Sequence, residues 1–374
     1  MKYIIAYPPV DFSVPFPELK PEQIDIYFHY TNEIGGRTCK AACAHCYFRS
    51  KPTFHIPPEK ALDITESLRA QGFNIGMAPA DSFADEALMA GNSGSAFRLK
   101  AIGNSAWSSG MPLALPNWEA RLDRAWQIGF RSIIITAHEA AGTMVPIKGI
   151  TKAPVIRQAF KNIIAWNNVN NPKRFSTATT FTIRPDNCNL DLMRQMISWG
   201  VEEGLDLVRF NCFANFQSLP EHRQFEMSRE KIVEFYDHLA RLQVEFQDAP
   251  TSLGISEDWG DAGIEQIYPY LPPEWQSRKA GWCRARYRLF AMIEVNGEIV
   301  LTGCVDKWEP VMGKLIQIAP IEYRIVWKYD QIETLRQAIL DDKVYACWGG
   351  VGYGRPTEAS FGTDSIAEDE IMRG

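Results

Sequence analysis

Apolar positions along this chain recur alternately at a spacing of two and at a spacing near 3.6. Ile24–Tyr30 alternates and predicts a strand, and residues Pro57 to Ala70 carry helical spacing, with Pro58 in the first turn and a stop before Gly72. Phe73–Ala78 predicts a second short strand. Strand–helix pairs then follow: Arg98–Ile102 with Trp118–Ile128, Ser132–Ala137 with Pro154–Trp166, Ser176–Ile183 with Leu190–Trp199, and Leu205–Phe210 with Ser228–Phe246. In the last helix Ile232, Phe235, Leu239, Leu242 and Phe246 share one face, and Ser228 is the expected N-cap. Alternation of this kind calls for a parallel sheet with crossover helices, an α/β fold. From Pro250 the pattern turns irregular until Tyr287–Val295, Asn296-Gly297 and Glu298–Leu301, which together predict a hairpin. A helix over Ile332–Asp341 is expected beyond it.

Composition narrows the classes. The 374 residues are 46% hydrophobic and 22% charged, ordinary globular usage that excludes a disordered or collagen-like chain. Lys and Arg total 39 against 45 Asp and Glu, a formal charge of −6 that argues against a nucleic-acid-tracking surface. No apolar run reaches the ~18 residues that suggest a membrane span. The opening MKYIIAYPPVDF has too short an apolar stretch for export, so a cytoplasmic location and no membrane partner are expected.

Eight cysteines are too sparse for a disulfide scaffold in a chain this long, and they are unevenly placed. Cys39, Cys43 and Cys46 form a C-x3-C-x2-C run just after the first predicted strand. Three thiolates on one short loop suit three corners of an iron–sulfur cube. A zinc site would need a fourth donor, for which His45 is at hand although no second knuckle lies nearby. Cys283 and Cys304 bracket the predicted hairpin, and Cys347 follows the helix beyond it. Cys188 and Cys212 lie near the ends of the fifth and sixth strands.

The C-x3-C-x2-C loop after a first barrel strand resembles that of the radical S-adenosylmethionine (SAM) enzymes. The resemblance implies a partial (β/α)6 parallel barrel over residues 24–250, with a [4Fe–4S] cluster on Cys39, Cys43 and Cys46 whose fourth iron is chelated by SAM. The family's aromatic residue before the third cysteine is His45 here, with Tyr47 following, and both are candidates for the adenine side of the site. In place of the family's Gly-Gly-Glu-Pro stands Gly76-Met77-Ala78-Pro79, which keeps Gly76 and loses the acid; Asp81 is a candidate to replace it. Asn104 after the third predicted strand, Thr136, His138 and Glu139 after the fourth, and Arg184 after the fifth are the expected SAM contacts, with Arg184 directed to its carboxylate. Capping and surface-loop roles compete with each of these assignments. Cys212 is the candidate catalytic hydrogen-atom donor at the mouth of the barrel.

The C-terminal part resembles the twitch/SPASM extension of the same superfamily, a small α+β domain over residues 251–352. That likeness implies a second, auxiliary [4Fe–4S] cluster on Cys283, Cys304 and Cys347, with Gly350 where a fourth cysteine stands in the family. Residues 1–23 form an N-terminal extension and 353–374 a loosely held tail. The phrase from His29 to Phe48 is similar to maturases of Nif11-type precursor peptides. It implies backbone modification of a ribosomally synthesised peptide, either tyramine excision to an α-keto-β-amino acid or epimerisation. The implied partners are the precursor peptide, a small leader-peptide-binding protein, and an electron donor such as flavodoxin or ferredoxin. Two other classes remain open: a radical SAM dehydrogenase or rearrangement enzyme on a small molecule, and a non-catalytic iron–sulfur or zinc protein.

Overall fold

The computed structural model describes residues 3–5, 20–28, 58–77, 81–83, 105–137, 153–213, 220–255, 259, 263–273, 290–293, 298–300, 311–330 and 333. Strand β1 (Asp25–Phe28) is followed by helix α1 (Pro58–Ala70) and β2 (Asn74–Met77). Next come β3 (Ser105–Ser108), α2 (Trp118–Ile128), β4 (Ser132–Ala137), α3 (Ala153–Val169) and β5 (Ser176–Ile183). The series continues through α4 (Leu190–Glu202), β6 (Leu207–Cys212), α5 (Arg229–Glu245) and β7 (Ser252–Ile255). Four further strands close it: β8 (Phe290–Ile293), β9 (Glu298–Val300), β10 (Val311–Ala319) and β11 (Glu322–Trp327).

The architecture is α/β, and β3-β4-β5-β6-β7 form one parallel sheet in chain order. Local sequence explains the well-placed elements. Ser228 caps α5 by accepting from the Lys231 amide, and Asn189 caps α4 by accepting from that of Leu192 at 2.9 Å. Gly129 takes the left-handed conformation that ends α2, its N–H returning to the last carbonyls of the helix. The sheet's apolar face carries Ile133, Ile135, Phe181, Ile183, Val208 and Phe210, packed with Phe160, Met193, Trp199, Phe235 and Leu239 of the helices. Trp259, fully buried, stacks flat on Phe235 and donates its indole N–H to the Phe210 carbonyl at 3.0 Å.

Four features differ from the sequence expectation. The third strand is Ser105–Ser108, not Arg98–Ile102, whose residues lie outside the described ones. The parallel sheet continues past residue 250 into β7, where Ile5 adds a bridge: its N–H donates to Leu253 O at 2.7 Å and its carbonyl accepts from Ile255 at 3.0 Å. The C-terminal hairpin is present as β8 and β9, but β8 pairs in parallel with β1, so β1-β2 belong to a second sheet of order β11-β10-β9-β8-β1-β2. Finally, β10 and β11 form another hairpin in that sheet, docked on α1, where the Ser67 hydroxyl accepts from the Tyr323 amide at 2.8 Å. The helix expected over 332–341 falls outside the described residues except for Glu333.

Candidate functional site

Side chains alternate along a strand, so the sheet face opposite the apolar one is read directly from register. On β5 it carries Ala178, Thr180 and Thr182, and on β6 Leu207, Arg209 and Asn211. Thr136 of β4 pairs with Thr180, Thr180 with Arg209, Thr182 with Asn211, and Arg209 with Gly254. This face is polar towards the C-terminal ends of the strands, where sites form in parallel α/β sheets. The Arg209 guanidinium lies 4.9 Å from the ring centre of Trp107 on β3, three strands away. A Cβ on Gly254 would stand 3.1 Å from Leu207 Cδ1 and 3.2 Å from Ile5 O, so glycine admits the close approach of the Ile5 carbonyl.

Several polar atoms of this face are buried without a hydrogen-bond partner among the described residues: Thr180 Oγ1, Asn211 Oδ1 and Arg184 Nη1. A buried polar group without a partner is costly, so such a group marks a place where a ligand or water completes the structure. Arg184, only 2% exposed, directs Nε and Nη2 to the Asp186 carboxylate at 2.9 and 2.7 Å and lies 5.5 Å over the Phe225 ring. Its own N–H donates to Asn187 Oδ1 at 2.7 Å. Phe225 belongs to an aromatic group with Phe213 and His222 beyond the end of β6.

Asp81, the candidate replacement for the missing acid, is fully buried and otherwise engaged. Its carboxylate accepts from the Ser109 amide at 2.9 Å, the Ser109 hydroxyl at 2.6 Å and the Phe83 amide at 3.1 Å. Gly76 sits within β2, opposite Tyr27. Because β3 begins at Ser105, Asn104 precedes that strand instead of following it, and the C-terminal end of the strand is marked by Ser109. Thr136 lies on the polar face beside Thr180.

Cys212 is 3% exposed and belongs to the apolar cluster with Val208 and Phe210, on the face opposite Arg209 and Asn211. By the period of two, Asn211 takes the polar side of β6 and Cys212 the packed one. Cys188 is also buried, the pKa of its thiol pushed up to about 12 by burial first and by the charge of Glu234 second. Cys39, Cys43, His45, Cys46, Tyr47, Asn104, His138, Glu139, Cys283, Cys304 and Cys347 lie outside the described residues. Among the described residues no cluster of His, Cys, Asp and Glu could hold a metal, and no helix is long and apolar enough to cross a membrane. The alternation of Thr180-Phe181-Thr182 and Arg209-Phe210-Asn211 already separates the side of Thr180 and Asn211 from the core in the sequence.

No family model and no curated protein matches the chain. Among solved structures it is similar to Streptococcus suis SuiB bound to precursor peptide SuiA, with 11% identity over 75% of this chain and a TM-score of 0.52. It is also similar to native anSMEcpe with bound AdoMet and Kp18Cys peptide, with 11% identity over 77% of each chain and a TM-score of 0.50. The chain spans 59% of the length of SuiB. Identities this low carry the fold and nothing finer.

Proposed function

We propose that this chain is a radical SAM enzyme that modifies the backbone of a ribosomally synthesised precursor peptide. The observation that carries the reading is the C-x3-C-x2-C run of Cys39, Cys43 and Cys46, which follows β1 of an α/β fold similar to that of proteins crystallised with AdoMet and with peptides. When bound, a [4Fe–4S] cluster and SAM supply a 5′-deoxyadenosyl radical able to take a hydrogen atom from an unactivated carbon. The three cysteines hold the cluster, leaving one iron open. His45 and Tyr47 flank the adenine, and Gly76, Thr136, His138 and Glu139 line the cofactor, joined by Arg184, Thr180 and Asn211. The protein's part is to orient both ligands and to exclude groups that would quench a radical.

Cys283, Cys304 and Cys347 hold an auxiliary cluster in this reading, its fourth iron left open or completed by another side chain. Tyramine excision is favoured over epimerisation, because the hydrogen donor that epimerisation needs is not supplied by Cys212 on the packed face. A small leader-binding protein delivers the peptide, flavodoxin or ferredoxin supplies the electron, and the setting is cytoplasmic. Anaerobic reconstitution with iron and sulfide, followed by dithionite and SAM, tests the proposal. It expects 5′-deoxyadenosine from the wild type, none after Cys39, Cys43 and Cys46 are replaced by Ala, and about four residual irons in that variant. A colourless protein holding zinc and releasing no 5′-deoxyadenosine would overturn it.

A further inference from the structure

An arginine without a partner is best matched by a carboxylate, which takes two parallel N–H bonds. Arg184 has already made that match within its own loop, since Nε and Nη2 face the two oxygens of Asp186. The Phe225 ring and the Asn187 side chain fix the guanidinium plane and the backbone behind it. One donor remains, Nη1, buried and without a partner among the described residues. A second carboxylate arriving there would find a single bond, a cation already neutralised, and the negative charge of Asp186 close by. An uncharged oxygen or ring nitrogen meets neither the missing bond nor the repulsion. The other two unpartnered atoms, the Thr180 hydroxyl and the Asn211 amide oxygen, also suit hydroxyl and amino groups and carry no charge.

We propose that Arg184 offers Nη1 to an uncharged acceptor on the nucleoside part of SAM, not to its carboxylate, and that Asp186 is the positioning residue that makes this choice. The inference rests on the SAM reading above. Its test measures the dissociation constants of SAM and of 5′-methylthioadenosine, which lacks the amino-acid carboxylate, for anaerobically purified protein by equilibrium dialysis. Arg184→Lys keeps the charge and loses the fork; it weakens both probes by the same factor, about tenfold. Asp186→Asn keeps one accepting oxygen and weakens both by a smaller but again equal factor. Thermal melts of both variants confirm that the folded state persists. A loss confined to SAM assigns the carboxylate and overturns the proposal, as does an Arg184→Lys protein that binds both probes like the wild type. A wild type that binds neither probe removes the SAM reading itself, whatever Arg184 does.

Discussion

The carboxylate of Asp81 accepts both the main-chain N–H and the hydroxyl of Ser109, at 2.9 and 2.6 Å, tying the segment after β2 to the end of β3. Next to it the Ser82 N–H donates to Trp107 O at 2.7 Å, and the Trp107 N–H is within 3.2 Å of Ser82 Oγ. β2 and β3 are not neighbours in either sheet, so residues 81–83 cover an edge that would otherwise stand open. An uncovered strand edge is a liability for aggregation and wrong pairing. The acid left after the Gly76–Pro79 segment therefore serves the fold.

Burial raises the pKa of the Asp81 carboxyl, and its hydrogen bonds with Ser109, Ser108 and Phe83 pull it only part of the way back. A carboxyl raised in the folded state is stabilised most when protonated, below its unfolded pKa, and this contribution is lost as pH rises through the folded value. Asp81→Asn removes the titration and, with its oxygen kept on the Ser109 donors, sets an amide N–H2 against the Phe83 N–H, a cost of about 1–3 kcal/mol. Melting temperatures of wild type and variant between acid and neutral pH should show the largest gap at the acid end, narrowing upwards. A gap that widens with pH would mean that the hydrogen bonds outweigh desolvation.

What could be read from the sequence depended on how local its cause was. Trp118–Ile128, Ser132–Ala137 and Ser176–Ile183 match α2, β4 and β5 residue for residue, because their periodicity and flanking residues suffice. β3 is not legible locally, because Ser105-Ala106-Trp107-Ser108 has weak strand propensity and its edge is satisfied by Asp81 and Ser82 more than twenty residues earlier in the chain. The pairing of β8 with β1 joins residues far apart in sequence and leaves no local trace. The place of Arg184 after a strand is legible in the sequence, while its capture by Asp186 lies in side-chain geometry. β10 and β11, by contrast, carry readable alternation around Pro320 and were overlooked.

Gly200 lies inside α4, where alanine would ordinarily gain about 1 kcal/mol. Here a Cβ would stand 2.2 Å from Cγ2 of Val208, which is fully buried on β6. Forcing a methyl group into a packed core costs about 1–3 kcal/mol, so the packing effect outweighs propensity and Gly200→Ala destabilises. Urea unfolding of Gly200→Ala, Val208→Ala and the double variant provides the check. The double variant should be more stable than the sum of the two losses predicts.

Cys188 is 1% exposed, its thiol donates to the Lys231 carbonyl at 3.7 Å, and its pKa is pushed up to about 12. The thiolate is the reactive form, so at pH 8 only about one molecule in ten thousand would carry it. Site-resolved mass spectrometry after iodoacetamide treatment should find Cys188 unmodified in the folded protein and modified once urea unfolds it. Rapid labelling of the native chain at this position would contradict the packing described.

Tyr323 of β11 is hydrogen-bonded to two side chains at the C-terminal end of α1. Ser67 Oγ donates to Tyr323 O at 3.2 Å and accepts from its N–H at 2.8 Å, and the Gln71 side chain donates to the same carbonyl at 2.7 Å. Tyr323 is 4% exposed, so neither of its backbone groups can turn to water without local opening. Ser67→Ala strands the amide, for which no second acceptor is in place, while Gln71 still serves the carbonyl. A cost of about 1–2 kcal/mol is expected, with faster hydrogen exchange at the Tyr323 amide. Gln71→Ala should have the smaller effect, because Ser67 continues to satisfy both groups. Equal exchange in the two variants would show that the strand is anchored by its pairing with β10 and not by the helix.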